Sequence, residues 1–155
     1  MPTLTTPNTG IEIFYEDRGD PSAEVILLVM GLGAQMTLWP DELVAALVGD
    51  GFRVIRYDNR DIGLSQKFEG KRAPSPPVQV LRKKIGFPAK VPYTLKDMAD
   101  DGIGLLDALG IASAHVVGAS MGGMIAQLMA VHHADRLLSL TSIMSTTGNP
   151  KLPPA

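Results

Sequence analysis

Val25 to Met30 reads Val-Ile-Leu-Leu-Val-Met, an apolar run with no polar interruption, closed by Gly31-Leu32-Gly33. A short run of that kind between turn signals fits a strand buried on both faces. A strand so buried needs cover on each side of its sheet, and the rest of the chain supplies it. Ile11 to Glu16 alternates into a short strand between Thr9-Gly10 and Gly19-Asp20-Pro21. Trp39 to Val48 has helical spacing, with Pro40, Asp41 and Glu42 in the first turn, where proline and acids are favoured. Phe52 to Tyr57 is a further strand. Thr94 to Leu109 is an amphipathic helix with Thr94 as N-cap, Asp97 three residues on and Gly110 at its end. Ala114 to Val117 is a short β-rich run, Met121 to Ala134 a helix, and Leu137 to Met144 a last strand. Strands alternating with helices imply an α/β fold, a mostly parallel twisted sheet with helices on both faces.

The 155 residues suffice for one domain with a real core, and we read 1–155 as a single domain. Hydrophobic residues make up 45% and charged residues 19%, a globular rather than a disordered balance. Net charge is −2, and Arg82-Lys83-Lys84 is the one dense basic run, which argues against nucleic acid as a partner. There is no cysteine, which excludes disulfides and thiolate catalysis. Neither a signal-peptide pattern nor a membrane-spanning apolar run is visible, so the expectation is a cytoplasmic protein without membrane partners. One stretch departs from the α/β pattern. Residues 66–92 form a long basic loop carrying Pro74, Pro76, Pro77, Pro88 and Pro92, with one short helix expected over 78–85.

Gly118-Ala119-Ser120-Met121-Gly122 reads G-x-S-x-G, the pattern of a nucleophile elbow. A chance match somewhere in such a chain has a probability of roughly one in twelve, so context must carry the reading. The apolar strand precedes the motif. Met121, Met124, Ile125, Leu128 and Met129 follow it at the spacing of one helical face. Ser120 therefore lies where a strand turns into a helix. A sharp turn there needs neighbours without Cβ, which Gly118, Gly122 and Gly123 provide. The first helical N–H groups are free, and that of Met121 would face a developing oxyanion. A glycine-bearing turn in another α/β fold, with Ser120 as a plain helix N-cap, has the same local pattern.

Four segments in order resemble the α/β-hydrolase superfamily, specifically its small esterase-like members. Leu27-Leu28-Val29-Met30-Gly31-Leu32-Gly33 is similar to the strand and glycine turn that hold the first oxyanion donor. Arg56-Tyr57-Asp58-Asn59-Arg60-Asp61-Ile62-Gly63-Leu64-Ser65 is similar to the family's D-x-R-G-x-G-x-S turn. Tyr93 to Gly110 resembles the helix before the nucleophile strand, and His115 to Gly123 the elbow itself. The resemblance implies Ser120 as nucleophile and the backbone N–H groups of Leu32 and Met121 as oxyanion hole, with Gly118 and Gly122 as elbow glycines. It implies no cofactor and no metal. Two positions depart from the pattern. Met30 stands where the family often has histidine, and Asp61 where it usually has glycine.

A serine nucleophile needs a histidine and an acid, which in this fold follow the serine in the chain. Thirty-five residues follow Ser120. His115 lies in the strand before the elbow and reads as structural. His132 and His133 end the helix after it, and a rise of about 1.5 Å per residue puts His132 roughly 18 Å from Ser120, beyond the reach of a base. Asp58, Asp61 and Asp107 are poor candidates for the acid. The expectation is the N-terminal part of a hydrolase core, ending after about the sixth strand, acting on a small-molecule carboxylic ester. Its histidine and acid would come from polypeptide outside this chain. That polypeptide, a C-terminal remainder or a second chain, would pair with the open edge of Leu137 to Met144. The same scaffold admits cofactor-free perhydrolysis, or a catalytically inactive binding module.

Overall fold

The computed structural model describes residues 2–68, 70, 91–149 and 151. The short helix expected over 78–85 lies outside the described residues. Six strands form one sheet in the order β1-β2-β4-β3-β5-β6. They are β1 (Thr3–Thr5), β2 (Glu12–Arg18), β3 (Val25–Val29), β4 (Arg53–Tyr57), β5 (Ala114–Ala119) and β6 (Leu137–Ile143). Among the described residues three α-helices accompany them: α1 (Asp41–Gly49), α2 (Leu95–Ala108) and α3 (Met121–His132). β3 pairs in parallel with β4 and β5, and β5 with β6. β1 and β2 join antiparallel at the other edge.

All five residues of β3 are buried, as its unbroken apolar run requires. They sort by parity, because side chains alternate across a strand. Val25, Leu27 and Val29 join Ile55, Val116, Met98, Leu106, Ile125 and Met129 on the face covered by α2 and α3. Ile26 and Leu28 join Val54, Trp39 and Val44 on the face covered by α1. Each fully buried side chain of this size contributes roughly 1.5–3 kcal/mol, so the central strands anchor both helical layers.

Local signals place most boundaries. Thr94 caps α2 in a reciprocal box with Asp97, and Gly110 ends the turn beyond it with φ 69°. Several boundaries differ from the sequence pattern. α1 starts at Asp41 rather than Trp39, because the residue before Pro40 is biased away from helix and adopts φ −71°, ψ 115°. Residues Met36–Leu38 make a separate 3-10 turn ahead of it. α3 stops at His132, since His133 leaves helical geometry at φ −140°. β1 was not visible in the sequence. With one apolar residue in three it carries no periodic signal, and it exists through its register on β2, with Leu4 opposite Ile13. No helix among the described residues is long and apolar enough to cross a membrane.

Candidate active site

The carboxyl ends of β3 and β5 lie side by side, with Val29 in register with Gly118. Parallel strands therefore deliver two turns to one place, the 30–35 loop after β3 and the junction at Ser120 after β5. Ser120 stands between β5 and α3 with φ 54° and ψ −122°. That is a strained conformation for a residue with a side chain, costing of order 1–3 kcal/mol. Its amide is held by the carbonyl of Ile143 at 2.9 Å, and its carbonyl accepts from Gly123 N–H at 2.9 Å. Its hydroxyl is exposed and has no hydrogen-bond partner among the described residues. The strain thus presents a bare hydroxyl rather than a capping contact.

The glycines around it are dictated by contact. A Cβ on Gly118 would strike the backbone of Gly122 and Gly123, and one on Gly122 the carbonyls of Val29 and Met30. A Cβ on Gly31 would come within 3.1 Å of the Ser120 Cβ. The 30–35 loop therefore rests directly on the serine. The N–H of Leu32 has no acceptor among the described residues. That of Met121, the first in α3, has no intrahelical acceptor. Ser120, Leu32 and Met121 are brought together by this arrangement.

The brace of the 30–35 loop comes from residues that sequence reasoning missed. Asn59, 2% exposed, donates its Nδ2–H to the Met30 carbonyl at 2.9 Å. Asp58 accepts the N–H of Met36 at 2.8 Å and that of Leu64 at 3.0 Å. Both carboxylate oxygens of Asp58 are thus committed to backbone. The only clue in the sequence was their place in the D-x-R turn. Asp61, in the place of a glycine, keeps the turn by adopting φ 66°, which aspartate tolerates better than most side chains. Its Oδ1 accepts from Phe68 N–H at 2.7 Å. Burial and the hydrogen bond to Asp61 push the Tyr93 hydroxyl up to about 12, so it stays a neutral donor. Arg60 is clamped by Asp101, with Nε and Nη2 each 2.6 Å from a carboxylate oxygen. Its guanidinium lies 5.6 Å and 5.2 Å from the Phe68 and Tyr93 ring centres.

None of the three histidines adjoins Ser120. His115 sits at the opposite end of β5, with Nδ1 2.8 Å from Ser139 Oγ and its ring edge-on to Phe52. His133 pairs with Asp100 at 2.9 Å, at the far end of α3. His132 is exposed in the last turn of that helix. Asp107 bonds Arg136 at 2.7 Å. The described residues hold no cluster of three or more His, Cys, Asp or Glu arranged for a metal.

Two open pockets flank the serine. One, about 470 Å³, is lined by Met30, Leu38, Trp39, Ser120, Ile143 and Met144, among others. The second, about 350 Å³, is lined by Ile62, Tyr93, Leu95, Met98 and Met121 together with Arg60. Leu32 belongs to both.

Known proteins share this fold. The family model described as the alpha/beta hydrolase fold matches residues 24–155. A rhodomycin D methylesterase of Streptomyces peucetius is 35% identical over 144 residues, covering 93% of this chain and 42% of that protein. The enol-lactonase of Burkholderia xenovorans superposes with TM-score 0.72 at 30% identity, over 93% of this chain and 46% of that one. A thermophilic esterase of Thermogutta terrifontis superposes with TM-score 0.71 at 32% identity, over 93% and 45% respectively. The chain spans less than half the length of each of these relatives. On the matched residues, the sheet order and the strand–serine–helix junction, the chain belongs to the α/β-hydrolase fold family.

Proposed function

We propose that this chain carries the nucleophile half of a serine hydrolase acting on carboxylic esters. Ser120 Oγ attacks the carbonyl carbon, and the carbonyl electrons move to an oxyanion facing the N–H groups of Leu32 and Met121. Collapse expels the alkoxide, which leaves as alcohol with the proton taken from the serine. Water then cleaves the acyl-serine, so ester and water give acid and alcohol. The observation that carries the reading is the strained, unpartnered Ser120 at φ 54°, ψ −122°. The ester-cleaving names of the methylesterase, lactonase and esterase relatives support it.

The general base and its acid come from polypeptide outside these 155 residues, because all three histidines are engaged or placed elsewhere. The same polypeptide covers β6. That strand is the last in the sheet order, and six of its seven residues are exposed. Fluorophosphonate labelling of the protein in its intact biological assembly tests the reading. Labelling that disappears in Ser120→Ala supports it. An assembly that never labels overturns it in favour of a binding module. A stable, monodisperse monomer of the 155-residue chain would sink the covering of β6.

A further inference from the structure

We infer that Asn59 is a positioning residue for the reaction, whose side-chain amide keeps the Leu32 N–H aimed at the oxyanion. The inference rests on the serine-hydrolase reading and deepens it. The loop after β3 contains Gly31 and Gly33, the second at φ 71°. Glycine leaves a backbone more conformational freedom than any other residue, so this loop needs a hold from outside if one N–H is to stay in place. Peptide units are planar, and a hold on a carbonyl fixes the direction of its plane. Two successive planes are held here. The Met30 carbonyl accepts from Asn59 Nδ2–H at 2.9 Å, and the Gly31 carbonyl accepts from Ala34 N–H at 3.3 Å. In a trans unit the carbonyl and the next N–H point opposite ways. The Gly31 carbonyl, turned toward Ala34, therefore sends the Leu32 N–H out of the turn.

The chemistry of the amide singles out Asn59. Its partner is a carbonyl oxygen, so the side chain must present its nitrogen there. That leaves Oδ1 buried with no hydrogen-bond partner among the described residues. A buried acceptor left unpaired is destabilising, so the donor to Met30 is what this side chain contributes. The Met30 carbonyl also touches the other half of the site. A Cβ on Gly122 would lie 2.8 Å from its oxygen, and Gly122 follows Met121, the second oxyanion donor. One carbonyl, held by Asn59, thus joins the loop of Leu32 to the helix turn of Met121. Gly31, the next residue, rests on Ser120. A tilt of the Met30 plane is therefore passed to the nucleophile and both donors, and a misplacement of about 1 Å in such a site can cost roughly a hundredfold in rate.

The test measures fluorophosphonate labelling of Ser120 in the intact biological assembly, as a function of probe concentration and pH. Asn59→Ala should lower the maximal labelling rate about 10- to 100-fold. The half-saturating probe concentration should stay within about twofold, because the oxyanion contact is made only as the adduct forms. Asn59→Asp has the same shape, but its carboxylate cannot donate to the Met30 carbonyl. It should lose as much at neutral pH and recover most of that loss as pH falls, since the protonated acid donates an O–H in place of the amide. Burial favours the neutral acid, so the recovery begins above the usual carboxylate range. Each rate is taken relative to the native assembly at the same pH, which cancels the titration of the base. The Asn59→Ala ratio should stay flat over that range. If Asn59→Ala does not fold, the return of Asn59→Asp decides alone. Native labelling rates in Asn59→Ala, a loss confined to probe affinity, or an Asn59→Asp ratio that does not rise with acid overturns the inference and leaves the hydrolase reading intact. A native assembly that never labels overturns both.

Discussion

At the scale of single residues, the site depends on atoms that have no room to move. Gly122→Ala would drive a methyl into the Val29 carbonyl, a backbone atom of the central strand. It should destabilise the fold by more than about 4 kcal/mol, the range reserved for such clashes. Gly49→Ala meets nothing within 4 Å in a helix and should be neutral or stabilising by up to about 1 kcal/mol. Urea denaturation of the two variants side by side checks the contrast. Asn59→Ala strands the buried Met30 carbonyl and should cost about 1–3 kcal/mol by the same assay. The residue pattern made Ser120 and the glycines legible, because a strained turn selects for them locally. It did not reveal Asn59, whose role exists only through a carbonyl 29 residues earlier.

At the scale of elements, caps and periodicity did most of the work. The box at the start of α2 joins Thr94 and Asp97 through three contacts of 2.7–3.3 Å. Hydrogen bonds from the Thr94 side chain and backbone hold the Asp97 carboxyl below its ordinary value of 3.8. A carboxyl with a lowered folded-state pKa stabilises the fold above that value. Its contribution should be lost as pH falls below about 4 through the folded pKa. Burial pushes the Asp100 carboxyl up, but Lys96 and His133 outweigh it and lower it, so it acts in the same direction. Thermal melts between pH 5 and 3 should show a steeper loss for the native chain than for Asp97→Asn. Thr94→Ala should cost about 1 kcal/mol at pH 7. β1 is the counter-example among the elements, because three residues without a period form a strand only when β2 is there to pair with.

At the scale of the whole molecule, two buried arginines tie distant elements together through ion pairs. Arg60 and Asp101, 6% and 1% exposed, join the turn after β4 to α2. Arg56 joins β4 to Glu16 on β2 and to Asp41 at the start of α1. Breaking such a pair leaves an uncompensated buried charge, so Asp101→Asn should cost about 3–5 kcal/mol. Replacing both partners together, as in Arg60→Met with Asp101→Leu, should cost less than the single change. Equilibrium denaturation of the three variants measures the coupling. The sheet order puts the bare hydroxyl of Ser120 at the end of β5, beside the loop after β3, and leaves β6 at the edge.

The chain's own residues determined the α/β pattern, the two buried faces of the central strand, the strand–serine–helix junction and the capped helix before it. Those follow from short-range rules of period, capping and backbone freedom, which act over a few residues. Tertiary structure alone decided that Asn59 braces the loop of Leu32, that Asp58 is committed to backbone N–H groups and that the histidines face away from the serine. It also decided that two apolar pockets meet at Leu32. Those are relations between residues far apart in the chain, such as the 41 that separate Arg60 from Asp101, and only folding brings such residues into contact.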